Sequence, residues 1–352
     1  MTGDRPLGPL GKLVLARETV DRATERRTDQ AWLDMTWADP DTRVLVVDHG
    51  RALVRVTGDS GELVFISPGQ APPGVRFLLG VEDERTVYWG VSAPLEGIGT
   101  PSGEASGSPD PGPVPPDSAA AHGTGPGRDQ PKPPYSGPAG VPKPMSLREA
   151  GSLLGDRDAG LLTHAIALAN WHDTHTHCPI DGTPTVVNPG GHSTTCPADG
   201  TEHFPRTDPA VIMLVTDPED RCLLARNVTW PQRRVSILAG FVDPGESAEH
   251  AVAREVHEET GITVDQVTYL DSQPWPMPRS LMLGFWAQAV GDLTIRVDAD
   301  EIAEAHWYSR EDLRRVLEAR ELALPPAVSI ARRIIEAWYG AELPDGAPFE
   351  TR

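Results

Sequence analysis

The chain has 352 residues, of which 31 are lysine or arginine and 51 are aspartate or glutamate, so its formal net charge is −20 at pH 7. Such an acidic chain disfavours non-specific binding to nucleic acid and to anionic membranes, because both carry negative charge. A chain of this length is long enough for two or three domains, each with its own hydrophobic core.

Three features of the sequence predict a cytoplasmic protein. There is no run of 18 apolar residues, and the first residues lack the apolar stretch of a signal peptide. The three cysteines, Cys178, Cys196 and Cys222, are too few for a disulfide framework and fit a reducing compartment.

Residues 1–96 are predicted to form a small β-rich domain. Apolar runs at 43–47, 52–56 and 63–66 are separated by turn residues, a pattern typical of short strands. The charged segment 18–30 predicts a preceding helix. No catalytic constellation stands out here, so we expect this domain to serve packing or dimerisation.

Residues 97–144 differ in composition, because glycine and proline dominate and large apolar side chains are scarce. Such a stretch buries too little surface to offset the conformational entropy lost on ordering. We predict a disordered, partly extended linker. The alternative is a proline-rich docking segment around 131–134.

Residues 145–205 are predicted to begin with a helix. Leucine and isoleucine recur at helical intervals over 146–171, on both sides of a loop at Gly155. A histidine-rich patch follows this helix. Its members are His172, His175, His177, His192 and His203.

The same region contains two similar phrases, Cys-Pro-Ile-Asp-Gly from Cys178 and Cys-Pro-Ala-Asp-Gly from Cys196. Each has the form of a zinc-ribbon knuckle whose second cysteine has become aspartate, at Asp181 and Asp199. The sequence therefore predicts a degenerate zinc ribbon.

Three interpretations of this ribbon stay open. Zinc is held by both cysteines and both aspartates, or by the cysteines and neighbouring histidines, or the metal has been lost. Metal loss is the favoured interpretation, because structural zinc prefers closed sets of cysteine and histidine. A disulfide between Cys178 and Cys196 is disfavoured by the reducing compartment.

Residues 206–352 are predicted to form an α/β domain, an α/β/α sandwich that carries the chemistry. Cys222 lies on one of its apolar strands, which favours a core position over a nucleophile. The strands are predicted at 210–215, 222–226, 264–270 and 280–290, the segment 236–238 leads the chain to Gly240, and the last two helices are predicted at 310–320 and 327–338.

One predicted helix of this domain crowds carboxylates together. Glu255, Glu258 and Glu259 stand at i, i+3 and i+4, so they share one helical face at separations of roughly 5–6 Å. Arg254 alone cannot neutralise three carboxylates, whereas a divalent cation can. Because the ligand atoms are carboxylate oxygens, the pattern predicts Mg²⁺ or Mn²⁺ rather than zinc.

The fixed residues of this segment follow the spacing Gly-x5-Glu-x7-Arg-Glu-aliphatic-x-Glu-Glu-x-Gly-aliphatic, from Gly240 to Ile262. That spacing matches every fixed position of the Nudix box, so the chain resembles the Nudix hydrolase superfamily. The resemblance implies a Nudix fold and hydrolysis of a nucleoside diphosphate linked to a second group. Ser247 and Gly261 suit the two ends of the helix.

A second segment, 272–280, reads Ser-Gln-Pro-Trp-Pro-Met-Pro-Arg-Ser. Its alternate prolines fix an extended backbone that holds Trp275 rigidly, or they form a stiff connector with the tryptophan in the core. With Phe204-Pro205-Arg206 and the ribbon, the segment resembles the NADH pyrophosphatase branch of the Nudix family. Met277 replaces the phenylalanine of the family's hallmark and keeps its apolar bulk.

The resemblance implies hydrolysis of NADH or NAD⁺ to nicotinamide mononucleotide and AMP, a homodimer, and removal of NAD caps from RNA 5′ ends. It implies that Glu255, Glu258 and Glu259 bind Mg²⁺ or Mn²⁺, with Glu301 as a further ligand or base. Arg254 is expected to orient Glu255 or its neighbour through an ion pair.

The same resemblance implies a substrate pocket. Phe241, directly after the box glycine, matches a position that stacks on a substrate base. Further pocket positions are Gln273, Trp275, Ser280, Met282 and Ala331. His257 fills a variable slot and is expected to be exposed. The rival hypotheses are an ADP-ribose or other dinucleotide diphosphatase, and a non-catalytic nucleotide sensor.

Overall fold

The computed structural model describes residues 7, 10–17, 19–98, 140–344 and 346. Most of the predicted linker, including the alternative docking segment at 131–134, lies outside these residues. Among the helices that are described, none combines the length and the apolar character needed to cross a membrane.

The predicted β-rich region is confirmed as a six-stranded sheet in the order β3-β2-β1-β5-β4, with β6 beside β2. Its central pair is parallel, with Leu45 opposite Gly90. The last strand begins just before the end of the predicted linker and returns the chain to this sheet. The strands are β1 (Arg43–Asp48), β2 (Arg51–Thr57), β3 (Ser60–Leu63), β4 (Val75–Glu82), β5 (Thr86–Ser92) and β6 (Lys143–Ser146).

The helix predicted at 18–30 is wrong. A short 3-10 turn covers Thr24–Arg26, and the α-helix, α1 (Gln30–Ala38), starts where that prediction ended. Asp29 caps α1 by accepting a hydrogen bond from the Trp32 amide at 3.1 Å. Asp21 exchanges two backbone hydrogen bonds with Val81 of β4, which keeps this part of the segment extended.

The interrupted helix predicted at 146–171 is confirmed as α2 (Leu147–Ala150) and α3 (Asp156–Thr174). Leucines and isoleucine of α3 pack in one hydrophobic core with Phe77 and Tyr88 of the first sheet. The buried Asp158 accepts a hydrogen bond from the Leu63 amide at 2.9 Å. The helix therefore closes the core of the first sheet.

The ribbon is a small sheet of three strands, β7 (Val186–Val187), β8 (Thr194–Thr195) and β9 (Glu202–His203). Two histidines attach it to the rest of the chain, because His172 hydrogen-bonds the Gly191 carbonyl at 2.8 Å and His192 the Leu78 carbonyl at 2.7 Å. Gly191 has φ 72°, and a Cβ there would lie 2.3 Å from the Arg76 carbonyl oxygen. Only glycine fits this contact.

The second large sheet has the order β13-β14-β10-β11-β15, with β12 also paired to β10. The predicted strands and helices are confirmed with shifts of a few residues at their ends, whereas the strands at 238–241 and 302–308 were not predicted. The strands are β10 (Asp208–Thr216), β11 (Cys222–Asn227), β12 (Leu238–Phe241), β13 (Thr263–Trp275), β14 (Ser280–Val290) and β15 (Ile302–Tyr308). The helices are α4 (Ala248–Thr260), α5 (Arg310–Glu318) and α6 (Ile330–Tyr339).

Helices cover both faces of this sheet, which confirms the predicted sandwich. Val211 of β10 and Val252 of α4 belong to the core on one face. The next residue of β10, Ile212, packs with Leu313 of α5 and Ile334 of α6 on the other. This alternation follows from the two-residue period of a strand. Cys222 is fully buried in the core between this sheet and helices α5 and α6, as its apolar surroundings predicted.

The N-terminal segment joins the two halves of the molecule. Leu7, Leu10 and Leu13 pack against the core beneath α5 and α6, whereas Val14 and Leu15 belong to the core of the first sheet. The predicted boundaries after residues 96, 144 and 205 stay predictions.

Candidate active site

The carboxylate-bearing helix α4 forms as its sequence predicts. The Ser247 hydroxyl accepts a hydrogen bond from the His250 amide at 3.3 Å, and Gly261 ends the helix in a left-handed conformation, with φ 70°. Val252 and Val256 are buried on one side, whereas Glu258 is exposed and Glu255 is partly buried against β12. His257 is exposed, as predicted.

Arg254 is the centre of a hydrogen-bonded cluster. Its guanidinium donates to both carboxylate oxygens of Glu246, at 2.9 and 2.8 Å. It also donates to Glu255 at 2.8 Å, Glu258 at 2.9 Å and the Phe241 carbonyl oxygen at 2.9 Å. Such a planar fork fits several acceptors at once. Arg254 therefore ties α4 to the preceding loop and fixes the positions of two predicted metal ligands.

Glu259 has the most strongly perturbed carboxyl group of the site. It is buried, and its Oε2 atom has no hydrogen-bond partner among the described residues. Burial, together with the nearby charges of Glu255, Glu301 and Glu258, raises its pKa to about 8. Burial also raises the pKa of Glu255. A buried, unpartnered carboxylate beside three others is a set of oxygen donors that a divalent cation fits.

Arg254 explains why the carboxylate oxygens of α4 do not converge on one point. Within the described residues, no three of the helix carboxylates have ligand atoms gathered within 4.8 Å of one another. Glu255 and Glu258 are both held by Arg254, whereas Glu259 lies deeper. Glu301 begins the turn into β15, where its carbonyl oxygen accepts from the Val228 amide at 2.9 Å.

A second group of predicted residues lies along one row of the sheet. Ala210 pairs with Phe241 on one side and with Met282 on the other, and Met282 pairs with Gln273. Directly paired residues point to the same face of a sheet, so these side chains share the face opposite α4. Phe241 is 58% exposed, which leaves its ring available for stacking.

Other predicted pocket residues lie on this face too. Trp275 pairs with Ser280, two residues beyond the row, which places both on the same side. Helix α6 covers this side, because a Cβ on Gly284 would meet Ile330 and Ile334 at 3.1 and 3.0 Å. Ala331 is buried in the first turn of α6.

Gln273 is fully buried, and only one end of its side-chain amide has a hydrogen-bond partner among the described residues. Its Nε2 donates to the Val328 carbonyl oxygen at 2.7 Å, whereas its Oε1 has no partner among the described residues. An unpartnered buried acceptor is costly unless a ligand donates to it. The place of Gln273 in a substrate pocket stays a prediction.

Two residues that hold segment 272–280, called the proline-rich segment below, were not predicted from the sequence. Asn170 of α3 donates to the carbonyl oxygens of Pro276 and Pro278, at 2.9 and 3.1 Å. Arg148 of α2 lies 5.5 Å from the Trp275 ring centre and donates to the Met277 sulfur at 3.2 Å. No local pattern could indicate contacts between residues more than one hundred positions apart.

Asp208 is a further anchor at the start of β10. It accepts from Arg279 at 2.6 Å and from Arg206 at 3.1 Å, so one carboxylate joins the end of the proline-rich segment to the Phe-Pro-Arg phrase. Both ion pairs are partly exposed and are expected to contribute little stability.

Comparison with known protein families agrees with the resemblance seen in the sequence. Residues 206–332 match the NUDIX domain, and residues 173–204 match the NADH pyrophosphatase zinc ribbon domain. The chain is 39% identical over 344 residues to an NAD-capped RNA hydrolase NudC of Mycobacterium bovis, covering 94% of this chain and 95% of that protein. Identity to the protein of that name from Mycobacterium tuberculosis is 38%, with the same coverage.

Another relative matches over about half of the chain. The NAD-capped RNA hydrolase NUDT12 of Macaca fascicularis is 40% identical over 197 residues, which are 53% of this chain and 42% of that protein. The chain therefore belongs to the Nudix hydrolases, in the branch that carries the NADH pyrophosphatase zinc ribbon.

Proposed function

We propose that this protein hydrolyses the diphosphate of NAD(H), giving nicotinamide mononucleotide and AMP, and removes NAD caps from RNA 5′ ends. The observation that carries the proposal is the buried, unpartnered Glu259 carboxylate among Glu255, Glu258 and Glu301. The NudC relatives, similar over nearly the whole chain, are named as NAD-capped RNA hydrolases.

Mg²⁺ or Mn²⁺ is the proposed cofactor, held by Glu255, Glu258, Glu259 and Glu301. Bound there, the metal would supply positive charge to the diphosphate and would make a nearby water more acidic. Glu259 donates its buried carboxylate to this site, and loss of its proton accompanies binding because the free group has a raised pKa.

The side chains around the metal site have separate roles. Arg254 is a positioning residue, since it holds Glu255 and Glu258 by hydrogen bonds and reaches the Phe241 carbonyl on the adjoining strand. Glu258 or Glu301 accepts the proton of the attacking water, because both side chains are exposed to solvent. The water attacks the adenylate phosphorus, and nicotinamide mononucleotide leaves.

The opposite face of the sheet binds a base of the dinucleotide, whose diphosphate lies at the metal site. Phe241 stacks on a substrate base, and the unpartnered Gln273 Oε1 accepts a hydrogen bond from the substrate. Trp275, Ser280, Met282 and Ala331 line the remainder of the pocket. The segment that carries Trp275 is held by α2 and α3, so the position of the pocket depends on the N-terminal half of the chain.

We further propose a cytoplasmic homodimer. Helix α1 and the ribbon expose apolar side chains, among them Met35 at 62% and Val186 at 59%. Light scattering coupled to size-exclusion chromatography measures the mass, and a single species of about 38 kDa would contradict the dimer.

A kinetic comparison tests the proposed function. Purified protein is assayed with NADH, NAD⁺, ADP-ribose and NAD-capped RNA in the presence of Mg²⁺ or Mn²⁺. We expect turnover of the three NAD substrates to exceed that of ADP-ribose. Preference for ADP-ribose would favour the alternative diphosphatase, and absence of turnover with every substrate would favour a nucleotide sensor.

A further inference from the structure

A cleft lies between helix α1, strands β4 and β5 of the first sheet, and the ribbon. Its volume is about 540 Å³, which falls in the range of roughly 300–1,000 Å³ typical of small-molecule sites. Trp37 of α1, Arg76 of β4 and Trp89 of β5 line it, and so do Asn188 and Pro189 of the ribbon. None of these residues belongs to the candidate active site. The cleft is therefore a second place where a small molecule can bind.

Backbone and core contacts fix the shape of this cleft. Gly190 and Gly191 of the ribbon have φ 75° and 72°, and a Cβ on Gly191 would lie 2.3 Å from the Arg76 carbonyl oxygen. Leu33 of α1 shares a hydrophobic core with Trp89. Because close-packed backbone and core atoms move little, the cleft is formed before a ligand binds, as most ligand sites are.

The two tryptophans of the cleft meet edge to face, with ring centroids 5.4 Å apart and an angle of 81° between the ring planes. Trp37 is partly exposed, whereas Trp89 is only 4% exposed. The Nε1 atom of the Trp89 indole is buried and has no hydrogen-bond partner among the described residues. A buried indole N–H usually has a partner. The cleft therefore favours a ligand that brings a flat ring to Trp37 and an acceptor atom to Trp89.

Arg76 brings a positive charge to the same cleft. Its guanidinium carbon lies 4.0 Å from the centre of the Trp37 ring. Within the part of the chain that the structure describes, Arg76 forms no ion pair with a carboxylate. By contrast Arg26, which lies 5.7 Å from the Trp32 ring centre, pairs with Asp29 at 3.5 Å. The Arg76 guanidinium is thus available for an anionic group of a ligand, and its planar fork matches a phosphate.

Two polar side chains of α1, Gln30 and Asp34, also line the cleft. The Gln30 amide donates through Nε2 to Asp34 Oδ1 at 2.7 Å, which holds the carboxylate in place. This carboxylate repels a bare anion, but it accepts hydrogen bonds from hydroxyl groups, as acidic residues do from the ribose of bound nucleotides. A ligand that uses all of these side chains combines a flat ring, hydroxyl groups and a phosphate.

We propose that this cleft binds a nucleoside monophosphate. The base stacks on Trp37 and accepts a hydrogen bond from Trp89 Nε1. The phosphate pairs with Arg76, and a ribose hydroxyl donates to Asp34. The site needs no divalent metal, because an arginine neutralises the phosphate. Both products of the hydrolysis proposed above, AMP and nicotinamide mononucleotide, belong to this ligand class, but the site itself does not rest on that activity.

Calorimetric titration of the full chain in EDTA tests the site. The probes are AMP, nicotinamide mononucleotide, adenosine, inorganic phosphate and a short single-stranded RNA. We expect both mononucleotides to bind, and adenosine and phosphate to bind at least about tenfold more weakly, because each lacks part of the contacts. A short RNA that binds more than about tenfold tighter than AMP would overturn the choice of a mononucleotide.

Substitutions in the cleft are compared with matched substitutions beside it. Arg76→Gln should weaken AMP binding roughly 10- to 150-fold, since a hydrogen bond to a charged group is lost. Trp37→Ala should weaken it roughly 5- to 150-fold through the loss of stacking. The controls Arg26→Gln and Trp32→Ala change the neighbouring cation–π pair, which does not line the cleft, and should leave AMP binding unchanged.

Phe241→Ala separates this cleft from the candidate active site. The equivalent of AMP bound in the cleft should persist in Phe241→Ala and be lost in Arg76→Gln, and circular dichroism establishes that each variant is folded. A protein that binds AMP in this way but turns over no NADH would contradict the proposed function and still support the cleft. No binding of AMP to the unsubstituted chain, equal losses in Arg76→Gln and Arg26→Gln, or loss in Phe241→Ala alone would overturn the inference.

Discussion

Gly240 lies so close to Glu255 that a Cβ atom at residue 240 would fall 1.9 Å from the Glu255 Cδ. Residue 240, the first position of the Nudix box, must therefore be glycine because the Glu255 carboxylate occupies the space of a Cβ atom. The backbone conformation of Gly240 is not the reason, since it lies outside the left-handed region. The absent side chain lets a predicted metal ligand sit against β12.

This contact predicts the effect of Gly240→Ala. The added methyl group must displace the Glu255 carboxylate, and we expect turnover of NADH to fall roughly 100-fold, comparable to the loss of one interaction with the transition state. Overpacking should lower the free energy of unfolding by about 1–3 kcal/mol. Steady-state kinetics and denaturant unfolding measure the two effects.

The control for this substitution is Gly69→Ala, because Gly69 has open space around it. Gly245→Ala is unsuitable because Gly245 has φ 88°. Unchanged turnover in Gly240→Ala would contradict the role of the contact.

Glu258→Gln should reduce turnover roughly 100- to 1000-fold while the fold is retained. The substitution removes a charged ligand without changing shape, and its ion pair with Arg254 is exposed, so its loss costs little stability. Glu249→Gln, an exposed position on the same helix, is the matched control. Near-normal turnover of Glu258→Gln at saturating Mg²⁺ would refute the metal assignment.

The raised pKa of Glu259 predicts how stability depends on pH in the metal-free protein. Its pKa is about 8 in the folded chain and near the usual 4.5 when unfolded, so the folded state binds the proton more tightly. This contribution is fully present below about pH 4.5 and is lost as pH rises through about 8. Denaturant unfolding in EDTA between pH 5 and 9 measures it, and Glu259→Gln should lack the decline.

A metal should reverse that trend. Mg²⁺ competes with the proton on Glu259, so its affinity is expected to rise with pH up to about 8 and then level off. Calorimetric titration at several pH values in two buffers of different ionisation enthalpy measures the proton released. No proton release at pH 7 would show that Glu259 is not a ligand.

Much of this site was predictable because its signals are local. The spacing of Glu255, Glu258 and Glu259 specifies a shared helical face whatever surrounds it. The contacts of Asn170 and Arg148 with the proline-rich segment were not predictable, because they join residues 106 and 129 positions apart. The helix expected at 18–30 failed for a similar reason, since the pairing of Asp21 with Val81 overrides local propensity.

Phe241→Ala tests the proposed stacking. The side chain is largely exposed, so its removal should hardly affect unfolding, whereas the loss of one stacking contact of about 1–3 kcal/mol corresponds to roughly a 5- to 150-fold fall in kcat/KM for NADH. Met35→Ala removes an equally exposed apolar side chain on α1 and should leave kinetics unchanged. Equal effects of the two substitutions would argue against stacking.

The net charge of −20 leads to a prediction about capped RNA. An acidic protein gains little from contacts with the phosphates of the transcript, so recognition should rest on the NAD end group. Cleavage of NAD-capped RNAs of 5 to 100 nucleotides should therefore proceed with kcat/KM values within about threefold of one another, since few counterions are released on binding. The same reasoning predicts a shallow dependence on salt between 50 and 200 mM, whereas a protein with 6–10 phosphate contacts loses about 10³–10⁵ in affinity over that range. A steep dependence on either RNA length or salt would show that basic side chains of this chain contact the RNA body.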